Sequence, residues 1–170
     1  MILNNSINAG NFIYCMASLT PHEQNTYHNT GDGHFHQCVY IVDGYGFAEI
    51  RDVENGEITE FIDAKEPGSL IDLTHTRDKY HTTKTTDSSY ALLFFNPIPS
   101  TRKLNVQILK GPISQTITAG TNRIVVVCIT GEITTNDKTL VSLQHAKVFP
   151  GKTVELSLPE NAVCALVTEL

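Results

Sequence analysis

Gly31-Asp32-Gly33-His34-Phe35-His36-Gln37-Cys38-Val39-Tyr40-Ile41-Val42-Asp43-Gly44 runs from a glycine-rich turn through two histidines into five consecutive strand-forming residues and out at an Asp-Gly pair. Side chains two apart on a β-strand project from the same face. His34 and His36 are therefore placed to hold one metal ion together. A third imidazole has to come from a different segment, and His81, in Asp78-Lys79-Tyr80-His81 beyond the Pro67-Gly68 turn, opens the next β segment. Neutral imidazole suits Zn, Fe, Ni or Cu. Alternation also puts Cys38 and Tyr40 on the histidine face.

Outward from this stretch the chain repeats one texture. Short apolar and β-branched runs, among them Phe12 to Ala17, Phe47 to Ile50, Ile58 to Ile62, Tyr90 to Phe95, Ile124 to Ile129, Val154 to Leu158 and Val163 to Val167, alternate with Asp43-Gly44, Glu54-Asn55-Gly56, Pro67-Gly68, Thr130-Gly131 and Pro150-Gly151. These pairs supply a positive or a fixed φ, and no long window carries a 3.6-residue apolar period. The pattern predicts an all-β sandwich or barrel. It also repeats. Val39 to Gly44 matches Val126 to Gly131 at an offset of 131 − 44 = 87, and Glu66-Pro67-Gly68 matches Phe149-Pro150-Gly151 at 151 − 68 = 83. By the second offset Cys164 falls at the position of His81, whereas Thr121 and Arg123 stand where His34 and His36 would be. Two related β units are expected, 1–100 and 101–170, joined by Asn96-Pro97-Ile98-Pro99-Ser100, with the second stripped of its ligands.

At Gly33, His34, His36 and Gly44, followed by Pro67-Gly68 and His81, the chain resembles the cupin superfamily, with a degenerate second copy that makes it similar to a bicupin. The resemblance implies a double-stranded β-helix (jelly-roll) barrel in two packed cupin-like units, a divalent metal such as Fe, Mn, Zn or Ni near the barrel centre, and a homodimer. It implies His34, His36 and His81 as ligands. The family's glutamate is expected seven residues before the closing glycine, and that position holds Gln37, a neutral and weaker donor for a hard cation. Strict alternation turns Gln37 away from the histidine face, so it serves as a fourth ligand only across a bulge. Tyr40 and His75 are the candidate acid–base groups.

Composition removes other classes. Twelve Lys and Arg against eighteen Asp and Glu give a net charge of −6, with no basic stripe to neutralise a phosphate backbone, so no nucleic-acid partner is expected. No leader pattern or long apolar stretch is present, and four cysteines stand far apart without a C-x-x-C pair. No membrane partner and a cytoplasmic location are the expectation. His22 and His28 lie in a polar stretch read as a loop, His145 reads as surface, and the cysteines read as buried thiols. The leading functional reading is a metal-binding cupin protein acting on a small polar molecule, with dioxygenase and isomerase chemistry both open. The alternative is a non-catalytic barrel that binds a small molecule or serves a structural role.

Overall fold

A computed structural model describes residues 2–3, 6–29, 35–63, 66–136 and 138–170, which divide into two compact units, Met1–Thr101 and Arg102–Leu170. Strands dominate both, and the one helical turn among the described residues is a 3-10 turn at Thr74–Thr76. No helix among them is long and apolar enough to cross a membrane.

In the first unit the strands are β1 (Ile2–Leu3), β2 (Ile7–Asn8), β3 (Phe12–Leu19), β4 (Gln24–His28), β5 (Cys38–Arg51), β6 (Ile58–Ile62), β7 (Leu70–Asp72) and β8 (Tyr80–Pro97). β8 is the spine: β3, β4 and β5 all pair with it antiparallel, β6 and β7 pair with β5, and β1 and β2 pair with β3. Cys15, Ala17 and Leu19 of β3, Val39 and Ile41 of β5, and Tyr90, Leu92 and Phe94 of β8 form one apolar core. The alternate residues Cys38, Tyr40, Leu93 and Phe95 are buried as well. Both faces of this part of the sheet are thus covered within a single chain.

The Asp43-Gly44 pair does not turn the chain, as its composition suggested. β5 runs straight through it for 14 residues, and the pair belongs to two irregularities in the β5–β8 ladder. Between Ile41↔Leu92 and Asp43↔Ala91, β5 carries one extra residue; between Gly44↔Tyr90 and Gly46↔Thr85, β8 carries three. An odd insertion exchanges the two faces of a strand. The inward set on β8 is therefore His81 and Thr83 before the bulge and Tyr90, Leu92 and Phe94 after it. Gly44, at φ +80°, makes this possible, because a Cβ there would lie 1.8 Å from the Ser89 carbonyl oxygen.

The second unit contains β9 (Leu104–Lys110), β10 (Ile113–Thr118), β11 (Ile124–Thr130), β12 (Glu132–Thr135), β13 (Lys138–Val141), β14 (His145–Val148), β15 (Thr153–Leu158) and β16 (Val163–Glu169). They make two four-stranded sheets, ordered β10-β15-β12-β13 and β14-β11-β16-β9. The apolar side chains between these sheets include Val126, Cys128, Ile133, Leu156, Cys164 and Leu166. The sequence repeat has a structural counterpart: β11 shifts register between Cys128 and Thr130 just before Gly131 at φ +75°, as β5 does between Ile41 and Asp43 just before Gly44. One assignment changes as a result. Cys164 pairs with Cys128 as Leu92 pairs with Ile41, so its structural counterpart is Leu92 rather than His81. β16 is seven residues long against eighteen in β8, and the stretch that carries His81 has no equivalent on it.

Gly44→Ala is expected to destabilise the protein by about 3 kcal/mol or more, since the added methyl meets backbone at a positive φ. A urea midpoint within error of wild type would show that the bulge does not depend on this glycine.

Candidate functional site

The site is built where β4 crosses the start of β8. Tyr27 lies directly opposite His81 in the ladder, so both side chains share the inward face. The Tyr27 hydroxyl is 3.0 Å from His81 Nδ1, and the ring centroids are 4.9 Å apart. His81 is 1% exposed, and its Nε2 is buried with no hydrogen-bond partner among the described residues. Asp78 at φ +63° turns the chain into β8 just before it.

His36 arrives from the other side. It precedes β5 rather than lying in it, and its ring stacks on Phe94 at 4.3 Å and meets the edge of Tyr27 at 4.8 Å. Its Nδ1 is 2.6 Å from Asn96 Oδ1, so Nδ1–H donates to the amide oxygen and Nε2 becomes the lone-pair nitrogen of the neutral ring. Asn29, fully buried, fixes the backbone on both sides: its Oδ1 accepts from the His36 N–H at 2.7 Å, while its Nδ2 donates to the His36 carbonyl and to Thr76 Oγ1. Asn29 also pairs its own backbone with Lys79 and Asp78. One asparagine thereby ties the His36 segment to the turn that delivers His81.

Tyr27, His81, Val39, Ile71, Leu92 and Phe94 are among the residues around an internal cavity of about 30 Å³. A water needs roughly 10–15 Å³ measured this way, so the space suits an ion or one or two waters and not an organic molecule. Burial pulls the His81 imidazole down to about 4, His36 and His75 push the same way, and the Thr76 carbonyl opposes them. Burial also pushes the Tyr27 hydroxyl well above its ordinary range and the Tyr90 hydroxyl up to about 12, so both stay protonated.

The remaining candidates fall in different places. His34 lies outside the described residues. Gln37 sits two residues before Val39 in the same alternation, with its N–H donating to the Phe95 carbonyl and its carbonyl accepting from Leu73. Tyr40 is buried on the face opposite Val39, and Val39 is the residue that borders the cavity. His75, in the 3-10 turn, is exposed and pairs with Glu60 at 2.9 Å. Burial, with Asp72 adding to it, pushes the Cys38 thiol up to about 12, which leaves no thiolate near neutral pH. His145 is half-buried on β14 of the second unit. No group of three His, Cys, Asp or Glu side chains among the described residues is arranged to hold a metal.

Three residues that organise the site escaped the sequence reading: Tyr27, Asn29 and Asn96. Tyr27 was available as a signal, since Thr26-Tyr27 are strong strand formers inside the stretch read as a loop. The two asparagines carry no local signature.

Neither a protein-family model nor a curated protein matches the sequence. Solved structures do match. The chain is similar to a cupin 2 conserved barrel domain protein from Leptotrichia buccalis, at 13% identity over 96% of this chain and 86% of that one, with a TM-score of 0.52. It is similar to a salicylate 1,2-dioxygenase from Pseudaminobacter salicylatoxidans, at 10% identity over 93% and 70%, with a TM-score of 0.55. The bacterial pirin YhhW from Escherichia coli, solved in complex with nickel(II), gives 9% identity over 96% and 94%, with a TM-score of 0.57. The chain has the cupin fold.

The state of His81 makes stability depend on pH. The unfolded imidazole takes a proton near 6.5 and the folded one only near 4, so between these values the unfolded chain binds more protons and stability falls as pH falls. A loss of roughly 3 kcal/mol across that window is expected by linkage. Denaturant titrations at a series of pH values should show this slope in wild type and a flatter one in His81→Gln. Equal slopes would mean that His81 titrates normally in the fold.

Proposed function

We propose that the first unit holds a divalent metal ion through Nε2 of His81 and Nε2 of His36, with His34 as the third imidazole and Gln37 as an added neutral donor. The observation that carries this is the Nε2 of His81, buried without a hydrogen-bond partner among the described residues and beside a cavity of ion size. Leaving a buried polar atom unsatisfied is costly, and such an atom calls for an explanation. When Nδ1–H donates to the Tyr27 oxygen, Nε2 carries the lone pair a metal requires. Asn96 sets the same tautomer on His36, the kind of outer hydrogen bond that orients metal-ligating histidines. Burial keeps His81 unprotonated and available at neutral pH.

A bound ion would supply Lewis-acid or redox chemistry, and the reaction class is dioxygenation or isomerisation of a small polar molecule. Solved cupin-fold neighbours that include a dioxygenase and a nickel complex support the reading by analogy of fold. A second reading, a non-catalytic barrel, is favoured by the size of the cavity, which does not admit an organic substrate. A homodimer in the cytoplasm belongs to the proposal too. The dimer rests on the resemblance alone, and the location is supported by four free, buried thiols.

Metal analysis of protein purified without chelator and loaded with Ni²⁺ or Fe²⁺ should give about one ion per chain. His36→Ala and His81→Ala should each abolish stoichiometric loading while leaving the fold intact, and Asn96→Ala should weaken affinity about 10–100-fold. His22→Ala, at an exposed residue paired with Asp87, should change nothing. Retention of the ion by His81→Ala would place the metal elsewhere and end the proposal.

A further inference from the structure

The second unit carries an opening at the edges of its two sheets. β13 ends one of its sheets and β14 ends the other, and between these two edges lies a groove of about 580 Å³. That is within the range of roughly 300–1,000 Å³ typical of small-molecule sites, and far larger than the cavity beside His81. Its floor is apolar: Leu140, Val148 and Val154 belong to the unit's core, and Phe149 stands at the groove 58% exposed.

Charge at this groove runs against the rest of the molecule. Lys138, Lys147 and Lys152 line it, and no carboxylate does among the described residues, in a chain whose net charge is −6. Lys138 pairs with Thr135 and Leu140 with Ile133, so Lys138 shares the inward face with Leu140. An inward lysine on an edge strand can serve to block edge-to-edge pairing. That role needs one lysine; it does not explain three cations around an apolar floor. The field is felt nearby, since burial and then the charges of Lys147 and Arg123 hold the His145 imidazole below its ordinary value.

We propose that this groove binds a small organic anion with an apolar body, its carboxylate held by Lys138 and Lys152 and its body laid on Leu140, Val148 and Val154 beside Phe149. The proposal is independent of the metal reading, because it involves no residue of the first unit.

Titrating 1-naphthoate into the full-length protein, followed by amide NMR, tests it. Saturable shifts are expected at Leu140, Ala146 and Val154, with the neutral isostere 1-naphthylmethanol binding at least about tenfold more weakly. The double variant Lys138→Ala, Lys152→Ala should lose about tenfold or more in affinity at an unchanged thermal midpoint, since both side chains are exposed. Three results would overturn the proposal: shifts that fail to saturate, shifts confined to first-unit residues such as Phe94, or a lysine variant that binds as well as wild type.

Discussion

An odd number of extra residues in β8 decides the architecture of the site. His81 and Phe94 are 94 − 81 = 13 residues apart on one strand, and plain alternation would send them to opposite faces. The three-residue bulge before Tyr90 reverses the parity, and the single extra residue in β5 reverses it there. Both ends of β8 then present their side chains to the same interior, where the Tyr27 ring packs against His81, His36 and Phe94. Remove the bulge and the imidazole of His81 leaves the core.

This explains which parts of the fold could be read from the residues. Strand-length apolar runs and turn pairs report local preference, and the runs at Phe12, Ile58, Ile124, Val154 and Val163 all lie within strands. Asp43-Gly44 carries the chemistry of a turn but serves in a bulge, because positive φ is what both demand. β4 was hidden by its polarity: in Gln24-Asn25-Thr26-Tyr27-His28 the packing against β8 is made by a threonine, an aromatic and a histidine rather than by aliphatics, with Thr26 on Thr82, Tyr27 on His81 and His28 on Tyr80. The repeat was legible where it rests on a glycine and a bulge. It misplaced Cys164, because counting residues along the chain ignores the length that β16 lacks.

The two units are filled differently. In the first, buried side-chain nitrogens and oxygens among the described residues have hydrogen-bond partners, apart from one ring nitrogen each on His81 and His28. Asn29 and Asn96 supply much of that accounting, and neither could be identified from spacing because their partners lie 7, 47 and 60 residues away. In the second, aliphatic residues and the paired thiols Cys128 and Cys164 fill the space between the sheets, with burial pushing those thiols up to about 11 and about 12. The open edge between β13 and β14 sets three lysines beside that apolar filling.

The central proposal is that His81 is held neutral with its Nε2 beside a small cavity, and that His36 joins it as a second donor to one ion. Imidazole nitrogen NMR of ¹⁵N-histidine-labelled protein measures this directly, before and after addition of Zn²⁺. The proposal predicts protonated Nδ1 and unprotonated Nε2 on His81 at about pH 6, with the Nε2 resonances of His81 and His36 moving together as the ion is added. A His81 ring that protonates near its ordinary 6.5, or that carries its proton on Nε2 and ignores the ion, would contradict it.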